Sequence, residues 1–410
     1  MMSKTPRTML ALALGFAAIA VAADYEKPPV LPARDIVPAA ILGGKGYTID
    51  SKVPTDGLLG RYTIRSPAGT FPAHGLEMLS VRVSELPAIQ HLKGVSRSKV
   101  FLSAARGAAE KPVKAAVNIV THPKETVQGL PAGIGRFFDR VQSGANQLVE
   151  AASSAGSDED RAGAILKGGG TAARDALGYE QERRSLAKEL KVDPYTSNPV
   201  LAKLLDDVAW VSFTGRLGTN VVMSAVVPGS IVITATRFTN DLVWDTPRGD
   251  LVVRNETTLK DFQVPEKTAR AFMANAAIPL SVKTDLVQAL EKLRDVKGRA
   301  AVIALAATAR SEEQARFLVT AVRMLEKERA LEEVTATGTV VGRNKGGGIV
   351  VPAPVDYVSW TERVARFANR ADLKAAERSI VLTGKMSQRA RKEFEALGWK
   401  VSEDVREEVR

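Results

Sequence analysis

SRSKVFLSAARGAAEKPVKAAVNIVTHPKETVQGLPAGIGRFFDRVQSGANQLVE, residues 96–150, is the stretch around which the N-terminal half is read. Its last part has a long helical pattern. Leu130, Ile134, Phe137, Phe138, Val141, Leu148 and Val149 fall at helical spacings and share one side. Arg136, Asp139, Arg140 and Gln147 fall on the other. Upstream lie Lys93, Arg97, Lys99, Arg106, Lys111, Lys114 and Lys124, with few acids among them. Gly107, Pro112, Pro123 and Pro131 punctuate the pattern, and Pro112 and Pro131 suit first-turn positions. The stretch therefore predicts a basic, mostly helical region.

Outward from it, the pattern changes on both sides. Toward the N-terminus, 47–51 and 61–66 alternate apolar and polar residues as short strands do, with Pro67-Ala68-Gly69 as the turn that follows. A helical pattern then starts at Leu76, with Leu79 and Val83 on the same side. Toward the C-terminus, 151–173 is rich in Ala, Gly, Ser and Asp and reads as a loose insert. Helix resumes near Arg174. Asn198-Pro199 supplies a cap and a first-turn proline for another helix. A β-branched run at 231–236 reads as a strand. The runs 242–244 and 251–254, around Thr246-Pro247-Arg248-Gly249, read as a hairpin.

From about Pro265 the chain alternates helices and strands. Helices are expected over 284–296, from Ser311 with Gln314 at capping-box spacing, from Ser359 with Glu362 at the same spacing, and over 387–397. Strands are expected at 337–341, 349–351, 379–382 and 399–401, the first two joined by the glycine-rich 342–348. The last strand–helix–strand run implies a small α/β layer. The fold class is thus mixed α and β: a helical N-terminal half with short strands, and a C-terminal α/β layer. The units are a signal peptide over 1–22, an extended proline-rich tether over 23–46, a β-then-helical domain over 47–150, the insert over 151–173, a helix and β-hairpin region over 174–264, and an α/β domain over 265–410.

The first residues have the form of a secretion signal. Lys4 and Arg7 precede an uncharged apolar run over 9–22, and Ala20-Val21-Ala22 offers the small residues of a cleavage site. That run is short for a bilayer span, and no later stretch is apolar enough to cross one. The expected location is periplasmic or secreted, after cleavage near Ala22. The formal net charge of +11 falls to 11 − 2 = +9 once Lys4 and Arg7 are removed. The chain has no cysteine, which excludes disulfides, thiolate metal sites and a thiol nucleophile.

Catalytic signatures are weak. His74 and Glu77 form an H-x-x-E pair, and Ser96 with Lys99 forms an S-x-x-K pair, as do Ser185 and Lys188. No second histidine stands one helical turn from another, and no metal site or cofactor is expected. Aromatic residues are 5% of the chain and do not interleave with the basic ones, so no specific nucleic-acid platform is expected. The expected function is binding of an anionic envelope component (lipid, lipopolysaccharide or peptidoglycan) or of a protein partner. Its candidate residues are Lys93, Arg97, Lys124, Arg136, Arg140, Arg363, Arg366 and Arg370, the last three spaced along one helix side. The alternatives are an envelope hydrolase assembled from distant residues, with His74, Glu77, Ser96 and Lys99 as candidates, and a subunit of an export or surface assembly.

Overall fold

The structure is a computed structural model and describes residues 25–98, 101–103, 171–213, 241–328 and 330–405. The signal-like run, most of the 96–150 stretch, the 151–170 part of the insert and the expected strand at 231–236 lie outside the described residues.

The N-terminal unit begins with β1 (Val30–Pro32), α1 (Ala33–Ile36), α2 (Ala39–Leu42), β2 (Gly43–Gly44), β3 (Tyr47–Ile49), β4 (Lys52–Pro54), β5 (Arg61–Ser66) and β6 (Gly69–His74). β2, β3, β5 and β6 form an antiparallel sheet in that order, while β1 pairs with β4. β5 and β6 are the expected strand and its hairpin partner, closed by a turn at Pro67-Ala68. Tyr62 and Ile64 of β5 point to the core, as the alternation requires.

The expected tether over 23–46 is not extended. Ala33, Ile36, Val37 and Ile41 are buried, and the prolines before α1 and α2 start two short helical turns. Pro32 and Pro38 keep extended backbone before each turn, and it is the burial of Ala33, Ile36, Val37 and Ile41 that draws the stretch onto the core.

Helix α3 (Leu76–Ser96) covers the sheet. Its inward residues Leu79, Leu86, Ile89 and Leu92 meet α4 (Thr171–Glu189) and α5 (Pro199–Phe213) in one apolar cluster with Tyr62 and Ile64. α5 starts as its sequence predicts: the Asn198 Oδ1 accepts from the N–H groups of Val200 and Leu201.

The expected hairpin over 242–254 is instead two helices, α6 (Asp241–Asp245) and α7 (Arg248–Asp261). Pro247 occupies the cap position with extended backbone, and Arg248 begins the helix. Pro265 and Pro279 do the same for α8 (Glu266–Ala274) and α9 (Leu280–Lys292). The buried set of α7, Leu251, Asn255, Thr258 and Leu259, has helical spacing. α9 begins four residues before the expected position, because Pro279 starts it.

α10 (Arg299–Ala307) and α11 (Glu312–Leu325) complete this helical layer. Ser311 caps the helix as its sequence predicts, its hydroxyl accepting from the Gln314 N–H, while the side-chain Oε1 of Gln314 accepts from the Arg310 N–H, one residue before the cap, instead of from Ser311 itself.

The C-terminal layer is a five-stranded sheet in the order β13-β11-β9-β8-β7, built from β7 (Leu331–Ala336), β8 (Val340–Asn344), β9 (Ile349–Ala353), β11 (Arg378–Leu382) and β13 (Trp399–Ser402). β7, β8 and β9 pair antiparallel, and β9, β11 and β13 pair parallel. A small separate pair joins β10 (Tyr357–Val358) to β12 (Lys385–Met386). α12 (Glu362–Ala368) and α13 (Gln388–Ala396) cross between the parallel strands and pack with Trp360 and Trp399 against one face. α10 and α11 pack against the other, with Val334, Val340 and Val350. Helices on both faces explain the unbroken apolar run of β9.

β7 was not foreseen. The expected strand at 337–341 begins instead at Val340, and Gly342 lies inside β8, where a side chain would collide with Leu325 and Leu331. Helix α12 is capped by Thr361, whose hydroxyl accepts from Val364 N–H, rather than by Ser359. The mixed α and β class holds, with four sheets among the described residues.

Candidate functional site: a buried charge cluster around Arg316

The sequence candidates do not converge. His74 ends β6 and Ser96 ends α3, so the length of a 21-residue helix, roughly 30 Å, separates them. The His74 Nε2 lies 3.5 Å from Asp56 Oδ2. Glu77 faces the other way and accepts from the Thr320 hydroxyl at 3.0 Å. Gly75, with φ of 85°, breaks the chain direction between them, so the H-x-x-E spacing never lies on a single helix. The Ser96 hydroxyl donates to the Lys93 carbonyl within its own helix. Ser185 is exposed, and Lys188 pairs with Asp245. The described residues thus do not bring His74, Glu77 and Ser96 together. Lys99, Lys124, Arg136 and Arg140 lie outside the described residues.

The basic candidates within the described residues differ in availability. The Lys93 ammonium donates to the Ala68 carbonyl at 2.6 Å. Arg97 follows the last residue of α3 as its C-cap. Arg363 and Arg366 make long ion pairs of 3.9 Å with Asp56 and Glu362 and stay 60% and 73% exposed. Arg370 lies beyond the end of α12 and is held by Asp372, by the Thr337 carbonyl and over the Phe367 ring. The three arginines therefore do not form one helical stripe, because α12 stops at Ala368.

The structure instead assembles a charge cluster from positions far apart in sequence. α3 brings Glu77, Arg82 and Glu85. The loop between α4 and α5 brings Asp193, Thr196, Ser197 and Asn198. α9 brings Ser281 and Asp285, and α11 brings Glu312, Arg316, Thr320 and Arg323. Glu312 Oε1 accepts from Arg316 Nε at 2.7 Å, and its other oxygen takes the Ser197 hydroxyl and lies 3.5 Å from Arg82. Glu85 accepts from Arg82 at 3.1 Å, from the Thr196 hydroxyl and from the Asn198 amide at 2.7 Å. Asp193 accepts from the Ser281 hydroxyl and from the Tyr195 N–H. Asp285 lies 3.7 Å from Arg323.

Burial pushes the Asp193 carboxyl up to about 7, against the pull of its two hydrogen bonds and of Arg316. Burial likewise raises Glu77, against Arg316 and the Thr320 bond, and raises Asp285, against Arg323 and Arg316. Burial would raise Glu312 too, but Arg316, Arg82 and the Ser197 bond outweigh it and hold that carboxyl below its ordinary value. Arg316 is thus a shared cation for four carboxylates, drawn from α3, the 193–198 loop, α9 and α11.

Beside it is a hollow of about 20 Å³, lined by Ser84, Glu85, Asp193, Thr196, Glu312 and Arg316 among others. That is room for a single water, not for an organic substrate. A second hollow, about 70 Å³ between α11 and the β11 end of the sheet, is lined by Thr320, Met324, Lys327, Val381, Thr383 and Val405 among others. Among the described residues there is no group of three or more acidic or histidine side chains placed to hold a metal ion.

Sequence reasoning missed this cluster because its members are ordinary helix and loop residues until the fold brings them together. One signal was present: Glu312, Arg316 and Thr320 sit at i, i+4 and i+8 on the inward side of α11, a polar line down an otherwise apolar face.

No protein-family model, no curated protein and no solved structure matches this chain. No helix among the described residues is long and apolar enough to cross a membrane.

Proposed function

We propose that this is an exported envelope protein that acts by binding an anionic surface, with the basic segment 93–140 as the contact. The observation that carries this reading is the charge of that segment, nine lysines and arginines against three acids. Each basic residue held near an anionic leaflet contributes on the order of 1 kcal/mol. The secretion-type start, Lys4 and Arg7 before an apolar run ending in Ala20-Val21-Ala22, supports an envelope location. Arg363 and Arg366 supplement the segment, since their weak pairs leave them exposed.

The test is co-sedimentation of the mature protein with vesicles of anionic and of zwitterionic lipid, and with peptidoglycan, at low salt. Retention on the anionic material, weakened when Lys124, Arg136 and Arg140 are replaced together by serine, supports the reading. Equal recovery in the supernatant from every material removes it.

A further inference from the structure

The cluster around Arg316 holds more acid than base. Glu85 and Glu312 pair with Arg82 and Arg316, and Asp285 pairs with Arg323, while among the described residues Asp193 and Glu77 have no ion pair within 4 Å. Fully ionised, Asp193 would be a buried charge met by two hydrogen bonds and by Arg316 at longer range. A buried cluster of this kind holds protons rather than bare charge. Its members also come from four elements, so separating the N-terminal unit from the α9–α11 helices would break the Ser281–Asp193 and Ser197–Glu312 bonds and part Arg82 from Glu312.

We propose that the packing of α9 and α11 against α3 and the 193–198 loop is coupled to proton uptake, so that this junction closes more tightly as the surroundings become mildly acidic. The proton acceptor is Asp193, which meets Lys191 and Tyr195 from its own loop, Glu85 from α3, Ser281 from α9, and Glu312 with Arg316 from α11. Lys191 is exposed, so solvent screens it. The direction follows from linkage. The docked state raises the Asp193 carboxyl from 3.8 to about 7, so between those values it binds a proton that the separated state does not. Docking gains as pH falls through 7. It weakens again only in stronger acid, when Glu312, held below its usual range, is protonated. An envelope protein on the outer side of a cell membrane meets such changes directly.

The test is hydrogen exchange of the full mature chain at pH 6 and pH 8, corrected for the intrinsic pH dependence of exchange. Peptides covering Ser281 and Arg316 should gain about tenfold protection at the lower pH, the factor expected for one group titrating at 7, while the α13 peptide stays unchanged. D193N should abolish that difference. Protection at the junction that is flat between the two pH values overturns the proposal, as does a D193N protein that keeps the full difference. Should D193N fail to fold, S281A serves: it removes a hydroxyl that favours the ionised carboxylate, so the midpoint should move to higher pH. An unmoved midpoint in S281A also overturns the proposal.

Discussion

The Asp356 carboxylate accepts the backbone N–H of Leu76 at 2.9 Å, across 280 positions of sequence. Leu76 is the first residue of α3, and Gly75 before it offers no side chain to cap the helix. The second oxygen of Asp356 takes the Gly60 N–H at 2.8 Å and the Tyr62 hydroxyl at 3.0 Å. A carboxylate from the C-terminal layer thus supplies the start of the central helix of the N-terminal unit, where its charge also meets the positive end of the helix dipole. Asp356→Ala is expected to cost about 3 kcal/mol in urea unfolding, since it leaves buried donors unpaired. Tyr62→Phe should cost about 1 kcal/mol, and much less in the Asp356→Ala background. Additive losses in the double variant would contradict the shared network.

Arg316 should be the most sensitive position of the charge cluster. Its truncation removes the cation shared by Glu77, Asp193, Asp285 and Glu312 and leaves Glu312 with Arg82 alone. Arg316→Ala is expected to destabilise by about 3–5 kcal/mol. Adding Glu312→Leu should recover part of that loss, because the nearest stranded charge goes with it. Denaturant midpoints of the single and double variants measure both effects.

Lys283 offers a pH test of opposite sign to Asp193. It is buried, donates to the Met273 carbonyl at the end of α8, and is held down to about 8 by burial and by Arg248. Below 8 the fold must bury its charge. Between 8 and 10.5 the unfolded chain holds a proton that the folded one lacks, so stability rises with pH in that window. The wild type should therefore gain about 2 kcal/mol over Lys283→Met between pH 7 and pH 10, as measured by paired denaturation curves.

Glu26 ties the start of the described chain to its last layer. Its carboxylate accepts from the Trp360 N–H and from the Ser387 hydroxyl, and its own N–H donates to the Trp360 carbonyl. Ser387 in turn caps α13. Glu26→Ala should cost about 1–2 kcal/mol and raise proteolysis of the segment before β1. Cleavage there at the wild-type rate would contradict the role of the latch.

The C-terminal layer was legible because its signals are local. Ser311, Ser387 and Gly398 mark helix ends by side-chain chemistry that acts within four residues. The 242–254 region misled for the same reason. Pro247 and Gly249 carry turn chemistry in any short-range view, yet the burial of Leu251 with Asn255 and Leu259 decides for helix. β7 escaped notice because Glu332 and Glu333 interrupt its apolar pattern, and its place is set by β8 and by the bridge to Lys297. The charge cluster was illegible for a further reason. Asp193, Glu85 and Glu312 carry no motif, and only the packing of α3, α9 and α11 makes them neighbours.

The central functional claim is tested most directly by the salt dependence of binding to anionic vesicles by the protein without residues 1–22. A charge-driven contact predicts clear binding at about 20 mM salt and at least tenfold weaker binding at about 300 mM, where the screening length falls to several ångströms. Absence of binding at the lower salt, or binding of equal strength to zwitterionic vesicles, would contradict it.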